Sequence, residues 1–204
     1  MAQITSGIRS ILSKPLVYDL FQDMVGARRW RRDFVTRFVR ARPGDRVLDI
    51  GCGTARILDC LPEVRYQGFD ASPLYIEAAR RRYEGRGEFS CHLVDRTVLD
   101  RMEHFDLVLA MGLLHHLSAE QVRDLLELAK VALRPGGRLV TIDPCFAEGQ
   151  SRIARFLISR DRGQDVRTAD AYELLAHDVF SDVKGQVVHR RWLPYTHWIM
   201  ECQA

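Results

Sequence analysis

Residues 47–61 read VLDIGCGTARILDCL, in which an apolar run leads into a loop with two glycines. The pattern predicts a buried strand, a tight turn at Gly51 and Gly53, and a helix that begins at Thr54. The inner face of this helix is expected to contain Ile57, Leu58 and Leu61. Amide groups at a helix N-terminus attract negatively charged ligand groups. The segment therefore predicts a ligand site at the end of the first strand.

Strand-like and helix-like patterns alternate after this segment. The strand-like runs are, in order, RVLDI, RYQGFD, EFSCHLVD, FDLVLAMG and RLVTID. The helices between them include one capped by Ser72 before Pro73 and one capped by Ser118 with Gln121. Two final runs, VKGQVVHR and THWIMECQ, have no helix between them and must pair antiparallel. The fold class is therefore α/β, a doubly wound, mostly parallel, seven-stranded Rossmann-like sheet with an antiparallel C-terminal hairpin.

Residues 1–42 are predicted to form N-terminal capping helices, and residues 43–204 to form the domain with the sheet. Two apolar stripes at helical spacing predict the cap, one from Ile4 and the other from Trp30. After the fifth strand, the pattern predicts an arginine-rich helical segment and a further helix from Thr168.

Composition excludes several classes of protein. The chain has 204 residues, 47% of them hydrophobic and 28% charged, and a net charge of +3, which is typical of one globular domain. Its five cysteines form no CxxC pair, so neither a metal site nor a disulfide framework is expected. No apolar stretch approaches the roughly 20 residues needed to span a bilayer. We therefore expect a cytoplasmic protein.

Acidic residues at strand ends indicate the kind of cofactor. A dinucleotide fingerprint requires a third glycine where this chain has Arg56, and a P-loop lysine is absent. Asp49 would repel a pyrophosphate but attract the ammonium group at the methionine end of S-adenosylmethionine. Asp70 ends the second strand, where a carboxylate can accept both ribose hydroxyls. Asp95 ends the third predicted strand and could receive the adenine amino group.

The ordered motifs resemble the class I S-adenosylmethionine-dependent methyltransferase family. They are VLDIGCGTA, GFDAS, LVD, FDLVLAMGLLHHL and LRPGGRLVTID, within residues 45–143. GFDAS and LLHHL are similar to its small-molecule methylase branch. The resemblance implies S-adenosylmethionine as cofactor, S-adenosylhomocysteine as product, and substrate selection by a variable segment at about 144–170. The implied cofactor contacts are Asp49, Gly51, Cys52, Gly53, Asp70, Ala71, Ser72, Asp95 and Met111.

Methyl transfer from a sulfonium is an in-line displacement with a neutral leaving group, so alignment and exclusion of water matter most. A hydroxyl or carbon acceptor would also benefit from a base. His115 and His116 follow the fourth strand and Asp143 ends the fifth, which makes them the candidate catalytic residues. The alternative is structural, with the histidines packing before a helix cap and Asp143 capping the next turn.

Four residues are candidates for the acceptor side. Tyr18 and Phe21 could close over the methyl end of the cofactor, or belong to a core stripe. Arg155, in the arginine-rich segment, could receive an anionic small molecule, although charge runs usually form solvated faces. Tyr195 lies at the hairpin, where aromatic residues usually pack on the edge strand.

Two alternatives to a small-molecule methyltransferase remain, a nucleic-acid methyltransferase and a non-catalytic cofactor-binding protein. Arginines of the second capping helix could contact phosphates, or form a surface stripe. Amino-methylases of bases carry an Asn/Asp-Pro-Pro-aromatic motif where this chain reads AMGLLHH. The dipeptide Pro144-Cys145 follows the fifth strand rather than the fourth, where cytosine methylases carry theirs. Nucleic acid is therefore not the expected partner.

Overall fold

The structure is a computed structural model that describes residues 27–161, 163, 165–190 and 194–204. These residues divide into two compact units, one that ends at Leu93 and one that runs from Val94 to Ala204. The capping stripe that begins at Ile4, and with it Tyr18 and Phe21, lies outside the described residues.

The first unit begins with helix α1, Ala27–Phe34, which continues as a π-helical turn, Val35–Val39. The apolar side of this segment is buried and includes Phe34, Val35 and Phe38, as its spacing predicts. The segment ends at Arg40, which adopts a left-handed conformation with φ of 44°.

Three parallel strands form the sheet of the first unit. They are β1, Arg46–Ile50, β2, Arg65–Phe69, and β3, Glu88–Ser90, in the spatial order β3-β2-β1. Helix α2, Pro73–Arg82, connects β2 to β3, and the Ser72 hydroxyl accepts the Tyr75 amide hydrogen bond at its N-terminus. The predicted cap of α2 is confirmed. Strand β3 is shorter than predicted.

The helix predicted from Thr54 does not form. A single 3-10 turn, Arg56–Asp59, takes its place after Ala55, whose φ of 54° is left-handed. Ile57, Leu58 and Leu61 are nevertheless buried. The apolar pattern extends only as far as Pro62, which disfavours helical continuation, and β2 begins three residues later. The connection is therefore too short for a helix of several turns.

The second unit contains the remaining strands. They are β4, Phe105–Met111, β5, Leu133–Phe146, β6, Arg167–Thr168, β7, Asp182–Arg190, and β8, Tyr195–Gln203. Their spatial order is β4-β5-β8-β7, with β4 parallel to β5 and with β8 antiparallel to both β5 and β7. The short strand β6, which was not predicted, pairs with the end of β5.

Four helices belong to the second unit. They are α3, Arg96–Leu99, α4, Ala119–Ala132, α5, Arg152–Ser159, and α6, Ala169–His177. The capping box of Ser118 and Gln121 is present at the start of α4, as predicted. The helix predicted from Thr168 is also present as α6, with Thr168 as its N-cap. The fold is an open, Rossmann-like mixed α/β arrangement with antiparallel C-terminal strands. None of the helices among the described residues combines the length and the hydropathy that a transmembrane span requires.

Candidate functional site

The carboxylate of Asp49, on β1, is fully buried. The Tyr66 hydroxyl donates a hydrogen bond of 2.6 Å to its Oδ2 atom, whereas its Oδ1 atom is buried with no hydrogen-bond partner. Burial raises the pKa of Asp49 to about 7, the bond from Tyr66 opposes this rise, and the charge of Asp70 adds to it. A buried carboxylate oxygen without a donor is costly, so this position suits a cationic ligand group.

The glycine loop is tied to the end of β2. Gly51 and Gly53 have φ angles of 74° and 54°, which only glycine adopts readily. The amides of Gly51 and Cys52 donate to the Phe69 carbonyl at 2.8 and 3.0 Å. These two amides are therefore engaged within the chain. The Cys52 thiol is buried, which raises its pKa far above the usual range and makes it an inert packing group.

Backbone donors fix the orientation of Asp70, which follows β2. Its Oδ2 accepts the Gly53 amide at 3.0 Å, and its Oδ1 accepts the Ser72 amide at 2.8 Å. Each carboxylate oxygen can accept more than one hydrogen bond, so both can still receive ribose hydroxyls. The adjacent Ala71 and Leu74 are exposed. They offer an apolar surface that an adenine ring could cover.

S-adenosylmethionine fits the residues of the first unit. The unpartnered oxygen of Asp49 suits the ammonium group, Asp70 suits the ribose, and the exposed apolar residues after it suit the base. This donor and acceptor set contains no lysine or phosphate-binding loop, so it does not suit a nucleotide triphosphate. When bound, the cofactor would supply a methyl group activated by a positively charged sulfur.

Two predicted cofactor residues belong to the second unit. Asp95 is exposed and caps α3, with its Oδ1 atom accepting the Val98 amide at 2.9 Å and the Thr97 hydroxyl at 2.6 Å. Asp95 was predicted to end the third strand, but that strand ends at Ser90. The contact of Asp95 with adenine stays a prediction. Met111 is the last residue of β4 and is partly buried, and its contact with the cofactor also stays a prediction.

His115 and Asp143 are brought together in the second unit. His115 lies on a 3-10 turn, Leu114–His116, and its Nδ1 atom is 2.8 Å from Oδ1 of Asp143. The backbone amide of His115 donates to the same oxygen at 3.2 Å. On the other side of the ring, Nε2 is 3.3 Å from Oδ1 of Asp161. The imidazole therefore lies between two carboxylates.

The charge of this cluster follows from its geometry. Burial lowers the pKa of His115, but the hydrogen bonds and charges of Asp143 and Asp161 outweigh it and raise this pKa to about 9. Burial also raises the pKa of Asp161, yet the bond to His115 outweighs that effect and leaves it well below its usual range. His115 is thus an imidazolium at neutral pH and has no free site for a proton.

The Asp161 carboxylate also receives the Tyr195 hydroxyl and the Gly163 amide. A Cβ atom added at Gly163 would overlap the His115 ring, so glycine is required for this close packing. The Asp165 amide donates to the His115 carbonyl at 3.1 Å. These contacts hold Asp161, Gly163 and Asp165 against His115.

The cluster joins three of the predicted site residues and a fourth lies beside them. His115 contacts Asp143 directly and is linked to Tyr195 through Asp161, and the His116 ring is 4.1 Å from that of His115. Asp161 was not predicted, since one acid among arginines indicates only a solvated surface. Arg155, a candidate for the acceptor side, is exposed on α5, and its guanidinium group lies over the Phe146 ring. Among the described residues, no group of three or more side chains could hold a metal ion.

Residues 48–139 match a family of methyltransferase domains. The chain is 31% identical over 138 residues to probable tRNA methyltransferase 9B of Bos taurus, with 63% of this chain and 29% of that protein covered. It is also 31% identical over 151 residues to demethylmenaquinone methyltransferase of Symbiobacterium thermophilum, with 68% and 58% covered. The chain thus spans less than a third of the bovine protein and somewhat more than half of the bacterial one.

A solved structure confirms the fold. The S-adenosylmethionine-dependent methyltransferase SibL superposes with a TM-score of 0.68 at 21% identity, with 92% of this chain and 58% of SibL covered. The family match covers both the glycine loop and the strand that precedes His115. The chain belongs to the class I S-adenosylmethionine-dependent methyltransferase family.

Proposed function

We propose that this chain transfers a methyl group from S-adenosylmethionine to a small-molecule acceptor. The observation that carries the proposal is the buried Asp49 carboxylate, with one unpartnered oxygen beside the glycine loop and near the fixed Asp70. The residues around it match a family of methyltransferase domains, and a relative named for a small acceptor, demethylmenaquinone, matches 68% of the chain. The motifs GFDAS and LLHHL also favour the small-molecule branch of the methyltransferase family.

The binding roles in this proposal follow from the chemistry of each side chain. Asp49 accepts a hydrogen bond from the ammonium group and becomes fully ionised, because a nearby cation favours the carboxylate. Asp70 accepts the ribose hydroxyls while its backbone bonds to Gly53 and Ser72 hold it in place.

His115 does not serve as the general base in the proposed reaction. An imidazole whose pKa is raised to about 9 is already protonated at neutral pH and cannot accept another proton. We propose that its role is to hold Asp161 and Asp165 in place. Asp143 is the better candidate base, because its Oδ2 atom has no hydrogen-bond partner and burial raises its pKa. Transfer then depends mainly on alignment of the acceptor and exclusion of water.

A second candidate function is methylation of RNA. It is favoured by the bovine relative, whose name describes a tRNA methyltransferase. The first unit also exposes a set of guanidinium groups that could contact phosphates. They belong to Arg29, Arg32, Arg37, Arg40 and Arg42. A solvated basic face explains the same arginines, so we place this function second.

One labelling experiment separates the candidates. The purified protein is incubated with S-adenosylmethionine labelled at the methyl group, in parallel with a metabolite extract and with total tRNA. Label in small molecules is the expected result, and label in tRNA would favour the second candidate. Cofactor binding without transfer to either pool would indicate a non-catalytic protein. An Asp70→Ala variant is the control and should lose the label in either pool.

A further inference from the structure

Tyr66 is directed at Asp49 by two glycines. In the parallel pairing of β1 and β2, Gly68 lies opposite Asp49, and Tyr66 lies opposite Val47. A Cβ atom at Gly68 would come within 3.0 Å of Cε1 of Tyr66, and one at Gly87 would come within 2.9 Å of its Cδ1 atom. The ring, 2% exposed, can therefore occupy this space only because both residues lack a side chain.

The hydroxyl of Tyr66 is a permanent donor at this position. Burial and the charge of Asp49 raise the pKa of Tyr66 well above its usual value, so the phenol stays protonated. It donates to Oδ2 of Asp49 and leaves Oδ1 buried without a partner. The two oxygens of one carboxylate are thus given different roles, because one is satisfied by the protein and the other is left for a ligand.

We infer that Tyr66 is a positioning residue for the cofactor, which holds Oδ2 of Asp49 and leaves Oδ1 to accept the ammonium group. The inference rests on the proposed cofactor and adds a residue that the motifs of the sequence do not identify. Tyr66 acts through Asp49 and does not itself contact the ligand. A merely structural hydrogen bond would make no difference to the recognition of an amine.

The test uses two ligands that differ at the amine. S-adenosylhomocysteine carries the amino-acid end, whereas 5′-methylthioadenosine lacks it and keeps the ribose and adenine. Calorimetry measures the binding of both to the wild-type protein, to Tyr66→Phe and to Tyr83→Phe. Tyr83 is the matched control, because its hydroxyl also donates to a carboxylate, Asp59, at 2.9 Å.

Tyr66→Phe should weaken S-adenosylhomocysteine about tenfold or more at pH 7, because without the bond from Tyr66 the Asp49 carboxylate ionises less readily and its charge is what attracts the ammonium group. Binding of 5′-methylthioadenosine should stay within about twofold, and Tyr83→Phe should change neither ligand. The bond from Tyr66 lowers the pKa of Asp49, so its loss should also move the rise of S-adenosylhomocysteine affinity to higher pH. At high pH the affinity of the variant should approach that of the wild-type protein.

Phenylalanine keeps the ring that fills the space between the glycines, and thermal unfolding checks that the variant is folded. If it is not, Gly87→Ala displaces the ring and should give the same selective loss. Equal losses for both ligands, or an unchanged affinity for S-adenosylhomocysteine, would overturn the role of Tyr66 alone. A wild-type protein that binds neither ligand would instead reject the cofactor, and with it the proposed function.

Discussion

The Nδ1 atom of His115 lies 2.8 Å from Oδ1 of Asp143, on the side of the ring opposite Asp161. A buried imidazole between two carboxylates is stabilised in its charged form. The arrangement resembles that of a catalytic base and its orienting acid, but here both ring nitrogens have acidic partners. The second carboxylate is therefore what changes His115 from a candidate base into a fixed cation.

The stability of the protein should depend on the charge of His115. Its pKa is 6.5 in an unfolded chain and about 9 when folded, so its contribution is complete below pH 6.5 and is lost as the pH rises through 9. Between pH 7 and 8.5, the free energy of unfolding should fall by about 2 kcal/mol. Urea denaturation across this range measures the slope. His115→Asn should be less stable at pH 7 and should lack this slope, and an equal slope in both proteins would contradict the assignment.

Asp161→Asn should lower the pKa of His115. The amide removes the negative charge 3.3 Å from Nε2 while it can still accept the Tyr195 hydroxyl. The free energy of unfolding should decrease by about 1–3 kcal/mol, because a buried cation loses one partner. An NMR titration of the imidazole gives the pKa directly. Asp165→Asn is the control, since its carboxylate is 3.8 Å from Arg167 and no bond from it to His115 is seen. If both variants titrate like the wild-type protein, Asp161 does not set the charge of His115.

Asp49→Asn should have opposite effects on stability and on binding. The folded pKa of about 7 exceeds the usual 3.8, so ionisation of Asp49 destabilises the empty protein as the pH rises from 3.8 through 7. Asparagine removes this cost of about 4 kcal/mol but buries an amide that lacks full hydrogen bonding, which leaves a net gain of about 1–2 kcal/mol at pH 8. Denaturation at pH 5 and pH 8 tests the sign, since the gain should be confined to the higher pH.

The same substitution should weaken S-adenosylhomocysteine by at least about tenfold, because an amide cannot attract an ammonium group as a carboxylate does. Calorimetry at pH 8 measures this loss, with 5′-methylthioadenosine as the ligand that should be unaffected. A variant that is less stable at pH 8 and binds normally would refute both the raised pKa and the proposed role.

The elements predicted correctly are those specified by short-range chemistry. Ser72 before Pro73, and Ser118 with Gln121, begin helices because each cap is made within one turn. The prediction of a helix from Thr54 was wrong. The spacing of apolar residues does not reveal that the residue before the turn, Ala55, has a left-handed backbone conformation.

The candidate site was predictable where a residue follows a strand, and not where it depends on distant partners. Asp49 and Asp70 could be proposed as cofactor residues because the ends of parallel strands meet at one edge, and their contacts with the cofactor stay predictions. Tyr66 is 17 residues from Asp49, and Asp161 is far from His115 along the chain. Bonds of this kind depend on strand register and loop packing, which have no local pattern in the sequence.

Asp70→Ala should reduce both stability and cofactor affinity. Alanine removes the acceptor for the Gly53 and Ser72 amides, so the glycine loop loses its connection to the start of α2. We expect a loss of about 1–3 kcal/mol in the free energy of unfolding, and a larger loss in the affinity for both S-adenosylhomocysteine and 5′-methylthioadenosine, since both carry the ribose. Calorimetry and urea denaturation provide the two values.

Asp45→Ala is the matched control, because its carboxylate also accepts a backbone amide, that of Arg42, at 2.7 Å. A ribose contact at Asp70 requires that only the first variant weakens both ligands; equal affinities in the two variants would leave Asp70 with a structural role alone.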